Sequence, residues 1–163
     1  MKKLSFVVFA AFLLQACGGT YVADEYPLNE DRVSSFQVNG EVSVRSAYDE
    51  PHPIRITNLD ADLQQISEQF AEQMGQEIDR HHNGDGGADK HIMVRVTDMN
   101  LANRIAYMEG RVSVELELGN GEQVSFERRN GSPGVIYRVL NGTIALAVIE
   151  ALEDETVRAY LAE

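Results

Sequence analysis

The run HIMVRVTDMNLANR, residues 91–104, followed by GRVSVELELGNGEQVSF, residues 110–126, decides the fold. In the second stretch Val112, Val114, Leu116 and Leu118 alternate with Ser113, Glu115 and Glu117, the period of two that marks a strand with one buried and one wet face. Gly119-Asn120-Gly121 ends it with residues that accept positive φ cheaply, and the alternation resumes over residues 122–128. Strands over 92–99, 110–118 and 122–128 therefore form an antiparallel meander.

Working outward, Phe36, Val38, Val42 and Val44 share one face of an expected strand over 36–45, with Gly40 breaking the apolar row as a bulge would. Pro51 and Pro53 mark a loop, and Ile54-Arg55-Ile56 is a short extended piece. Thr57, Asn58 and Asp60 supply start signals for a helix whose Leu59, Leu63, Ile66, Phe70, Met74 and Ile78 recur at helical spacing, leaving a Gln/Glu-rich wet side. Strand, helix crossover and strand favour a parallel pair. Beyond the meander, Pro133 precedes a second helix over 134–152, striped by Val135, Ile136, Val139, Leu140, Ile144, Ala147, Val148 and Leu152. A short helix over 153–161 folds back on it. The expected class is α+β: a small mixed, mostly antiparallel sheet of about four strands packed against two long helices, with a short C-terminal helix.

The amino terminus has a different character. Lys2 and Lys3 precede mostly apolar residues from Leu4 to Leu14, then Gln15, Ala16 and the sole cysteine, Cys17. This is the three-part layout of a secretory signal. Leu4 to Ala16 is too short to cross a hydrocarbon core, which takes about 20 apolar residues. Leu14-Gln15-Ala16-Cys17 resembles the lipobox of bacterial lipoproteins, although Gln15 replaces the small residue more usual there. The resemblance implies cleavage before Cys17, a diacylglycerol and an N-acyl chain such as palmitate on that residue, and no other cofactor. Gly18, which is not the aspartate of an inner-membrane retention signal, implies the periplasm-facing outer membrane. An ordinary signal cut after Gly18, with Ala16 and Gly18 as the small pair, is the soluble alternative. The chain thus divides into a signal peptide (1–16), a flexible Gly-, Pro- and acid-containing tether (17–35) and a single α+β domain (36–163). An arm packed through Tyr21, Tyr26 and Leu28 is the other reading of the tether.

Without Lys2 and Lys3, twelve basic residues face 26 acidic ones, a net charge of −14. That balance opposes nucleic-acid binding, which needs Lys and Arg to neutralise phosphates. It also repels anionic headgroups, so membrane attachment has to come from acyl chains.

Residues 79–91, DRHHNGDGGADKH, hold three of the four histidines. His81 and His82 are adjacent and diverge, where a helix-borne zinc pair needs a spacing of three or four. A calcium loop opened by Asp79 would end in Lys90, where a bidentate acid is required. A metal- or small-ligand-binding module built on His81 to His91 is the alternative function, and no metal ligand is assigned. The chain lacks a G-x-S-x-G elbow and a G-x-x-x-x-G-K loop, so no catalytic residue is assigned and the expectation is a non-enzyme.

On the second long helix, Gly142, Leu146 and Ile149 lie beside the main stripe. Either the terminal helix covers them through Val157, Tyr160 and Leu161, or they form an interaction face for an envelope protein or a second copy. In element order, and in the two runs quoted first, the domain is broadly similar to small α+β lipoproteins of bacterial envelopes, including transport-auxiliary types. That resemblance implies an accessory role in envelope assembly or transport, exercised by protein binding.

Overall fold

A computed structural model describes residues 18–28, 32–82 and 86–163. The expected signal peptide and Cys17, Asn29 to Asp31 of the expected tether, and Asn83 to Asp85 of the histidine-rich segment lie outside the described residues. The chain is α+β, with seven strands and three helices among the described residues: β1 (Gly19–Thr20), β2 (Val42–Ser46), β3 (Pro53–Ile56), β4 (Leu59–Asp62), α1 (Leu63–His81), β5 (Lys90–Asn103), β6 (Met108–Leu118), β7 (Gln123–Ser132), α2 (Ile136–Glu153) and α3 (Glu155–Ala162).

The main sheet has the order β2-β5-β6-β7, with β2 and β5 parallel and the rest antiparallel. This is the expected mixed sheet and meander. Val94, Val96, Val112, Val114, Leu116 and Leu118 point to α1 and α2 and are at most 1% exposed, while Arg95, Thr97, Glu115 and Glu117 face solvent. The helices therefore cover one face only. Strand alternation is what sorts these side chains.

Three expectations need correction. A second sheet, β1-β4-β3, stands beside the main one. Its hairpin β3–β4 occupies the residues expected to start the first helix: Thr57 takes a positive φ of 57° in the turn, and Leu59 and Ala61 are buried on alternate positions of β4. The helix begins instead after Asp62, whose carboxylate accepts from Gln64 N (2.8 Å) as an N-cap. Second, the strand expected over 36–45 starts only at Val42. At Gly40, φ is +73° and a Cβ would stand 2.4 Å from Ala88 O, so the chain turns there. Phe36 and Val38 still reach the core.

Third, the described part of the expected tether is packed, as in the arm reading. Gly19–Thr20 pairs with β4, and Tyr21, Ala23 and Val33 are buried. The arm's backbone is clamped by the helix side expected to be wet. Gln65 accepts from Ala23 N (2.8 Å) and donates to Ala23 O (2.9 Å), and Gln73 donates to Tyr26 O (2.6 Å). From α2, Asn141 Oδ1 accepts from the Tyr21 hydroxyl (2.6 Å).

Burial, and then the nearby Asp24 carboxylate, push the Tyr21 hydroxyl well above the usual tyrosine range. A raised folded pKa means this contribution to stability is complete below pH ~10, the unfolded tyrosine value, and is lost as pH rises through the folded one. Ultraviolet titration should include a component from Tyr21 that ionises only with alkaline unfolding. Tyr21→Phe should remove that component and cost about 1 kcal/mol. A titration with no such late component would contradict the docked arm.

Past the end of β2, no strand among the described residues pairs with that edge of β5, and side chains take over. Ser67 Oγ accepts from Val96 N (2.9 Å) while donating to Leu63 O (2.7 Å), and the Tyr48 hydroxyl donates to Val96 O (2.9 Å). Ser67 is fully buried. Ser67→Ala would leave the Val96 amide unsatisfied in the core, a loss of about 1–3 kcal/mol. Urea unfolding checks this; a change within experimental scatter would show that the bond carries no weight.

Candidate functional site

Along α2, the positions beside the main stripe become the floor of a groove. Gly142, Ala145, Leu146 and Ile149 form the floor, Tyr26, Pro27, Leu28 and Arg32 one wall, and Asn130, Gly131 and Ser132 of β7 the other, with Arg138 at the rim. The space measures about 290 Å³. Gly142 sets its width, because a Cβ there would come within 3.0 Å of Asn130 Nδ2. Arg32 and Arg138 are both exposed, and neither has an ion pair among the described residues. The groove therefore joins an apolar floor to two guanidinium groups, a combination suited to an acid-bearing apolar segment.

The structure brings Gly142, Leu146 and Ile149 together as expected, but their cover differs from the one expected. Val157, Tyr160 and Leu161 of α3 are buried in the core, whereas the arm flanks Gly142 and forms one wall of the groove, with Tyr26 within 3.9 Å of the Gly142 Cβ position. Leu146 remains half-buried. The arm was hard to read because its composition is that of a linker; the glutamine spacing on α1 was the available signal.

The histidine-rich segment is spread over different elements. His81 stacks on Phe36 (ring centroids 4.6 Å) with Nδ1 2.9 Å from Glu77 O, at the end of α1. His82 is its C-cap. His91 opens β5 beside the β6–β7 turn, its backbone exchanging hydrogen bonds with the Tyr160 hydroxyl at 3.1 Å. Among the described residues no group of three or more His, Cys, Asp or Glu is placed to hold a metal ion. No helix among them is long and apolar enough to cross a membrane.

No family model and no curated protein matches the sequence. The crystal structure of protein XCC0632 from Xanthomonas campestris, of family DUF330, is similar. The two superpose with a TM-score of 0.51, covering 90% of this chain and 95% of that chain at 12% identity. At that identity the likeness is one of fold.

Proposed function

We propose that the chain is a non-enzymatic lipoprotein, held by acylated Cys17 in the outer membrane and facing the periplasm. It acts as an accessory to an envelope assembly or transport system by binding a protein segment in the α2 groove. The observation that carries the binding role is the groove itself, where an apolar floor meets two arginines that have no ion pair among the described residues, in a strongly acidic chain. Charge favours an acidic segment beside these two arginines in a chain that is otherwise strongly acidic. The lipobox carries the address.

A photo-crosslinking residue at Leu146 in the full chain, expressed in cells, tests the groove. One discrete adduct is expected, lost on Arg138→Glu, which alters an exposed side chain and leaves the core intact. A Leu146 probe that forms no adduct, or an adduct indifferent to Arg138→Glu, contradicts the binding role.

A further inference from the structure

All five large hydrophobic side chains that stand exposed among the described residues lie at one end of the molecule: Val22, Ile105, Tyr107, Val135 and Tyr137. Ile105 is fully exposed, at 108% of its reference area, on the β5–β6 turn that Arg104 N and Tyr107 O close at 2.8 Å. The Tyr107 ring lies over Gly131, one residue before the end of β7. From there the chain passes Val135 into the first turn of α2, where the Tyr137 hydroxyl donates to Thr20 O at 3.3 Å. Thus the meander tip, the start of α2 and the beginning of the arm share this end.

The chain also enters the fold here. A Cβ on Gly19 would lie 3.6 Å from the Tyr137 hydroxyl, and one on Gly18 would lie 3.7 Å from Asn58 O in the β3–β4 turn. Gly19 is already paired in the second sheet, so no long tether separates Cys17 from the domain. Adjacent Cα atoms are about 3.8 Å apart, and only Gly18 separates Cys17 from the paired residue. Acyl chains on Cys17 would therefore bring this end, and not a distant one, to the bilayer.

Charge agrees with that placement. Residues 18–22, 103–108 and 132–138 contain Arg104 and Arg138 and no acid, in a chain with 26 acids. Beside this end Glu109 is paired with Arg104 (2.7 Å) and Asp60 with Arg55 (3.8 Å), while Asp24, two residues beyond Val22, carries an exposed carboxylate. Elsewhere the acidic surface is repelled by anionic headgroups. Two tyrosines flanking aliphatic tips are the residues that settle at the boundary between headgroups and acyl chains.

We infer that this end docks on the membrane that holds the anchor, with Ile105 and Val135 entering the headgroup boundary and Tyr107 and Tyr137 beside them. The inference rests on acylation of Cys17. Docked this way, the domain has a fixed orientation, with the long axis of the meander running away from the membrane.

Cys17 is the sole cysteine, and acylation consumes its thiol, so one introduced cysteine carries one probe. Full-length lipidated protein would be labelled with an environment-sensitive fluorophore at Ile105→Cys, Val135→Cys or, as a control on the solvent face of the sheet, Glu115→Cys. Vesicles of phosphatidylethanolamine and phosphatidylglycerol, with and without brominated acyl chains, supply the membrane. The first two probes should shift to the blue and lose at least half their intensity to bromine, while the Glu115 probe does neither. Lipidated, vesicle-bound protein whose probes at 105 and 135 remain in water overturns the docking and leaves the anchor standing. A blue shift without bromine quenching overturns it in favour of contact with protein. Protein purified without lipid on Cys17 overturns both.

Discussion

Gly110→Val is expected to leave little folded protein. Gly110 is a buried residue of β6 at the place where α2 lies closest to the sheet. A Cβ there would stand 2.3 Å from Thr143 Oγ1 and 3.3 Å from Val139 Cγ1. Thr143 has no room to turn aside: it is fully buried, β-branched, and its hydroxyl donates to Val139 O at 2.7 Å. Any side chain at 110 must lift the helix off Val112, Val114 and the rest of the core, and overpacking of this kind costs about 1–3 kcal/mol, more for a branched residue. The cause can be isolated with Gly110→Ala in a Thr143→Ala background. Removing Oγ1 leaves Thr143 Cβ at 3.4 Å and Val139 Cγ1 at 3.3 Å, the latter still tight, and takes away the one contact that is impossibly short. The two substitutions should therefore be less damaging together than their sum, with a coupling of about 1 kcal/mol or more in urea unfolding. Strict additivity would show that the close approach of α2 does not limit this position.

Cys17→Ser should abolish acylation and leave the precursor uncut before residue 17. The effect is large because the anchor is the sum of many methylenes, each contributing about 0.8 kcal/mol, and two or three chains hold where one gives only reversible binding. The precursor keeps its apolar run, so the readout is loss of the protein from the outer membrane together with retention of residues 1–16. A normal mature protein released from the membrane would support a cut after Gly18.

How much of this was legible in the sequence depended on how many residues each element could use to declare itself. The meander spans dozens of residues of alternation, and its strands and turn appear where the pattern puts them, although β5 and β7 run on to Asn103 and Ser132, with a register shift in β5 between Val96 and Asp98. Hairpin β3–β4 has four residues per strand, and its turn residues Thr57 and Asn58 are equally good helix-start signals; Asp62, with its cap bond to Gln64 N, decides the matter only in three dimensions. The arm was illegible for another reason. Its order comes from side chains elsewhere, Gln65, Gln73 and Asn141, which satisfy its backbone and its one buried hydroxyl. Gly142, Leu146 and Ile149 stood out because they lie off the main stripe of α2, but nothing local to them told that residues 26–28 would form a wall beside them. The exposed end was invisible to periodicity, since Val22, Ile105 and Val135 come from three separate segments.

Packing of the arm also changes what an anchor would do. An extended tether of eighteen residues would let the domain roam about 60 Å from the membrane. With β1 starting at Gly19, attachment at Cys17 would instead set the domain on the surface and give the groove of α2 a defined height above it.

The most direct measurement is the intact mass of the protein extracted from outer membranes. The account predicts a chain beginning at Cys17 and carrying a diacylglycerol and an N-acyl chain. A chain beginning at Gly19, or one beginning at Cys17 with an unmodified thiol, would contradict it.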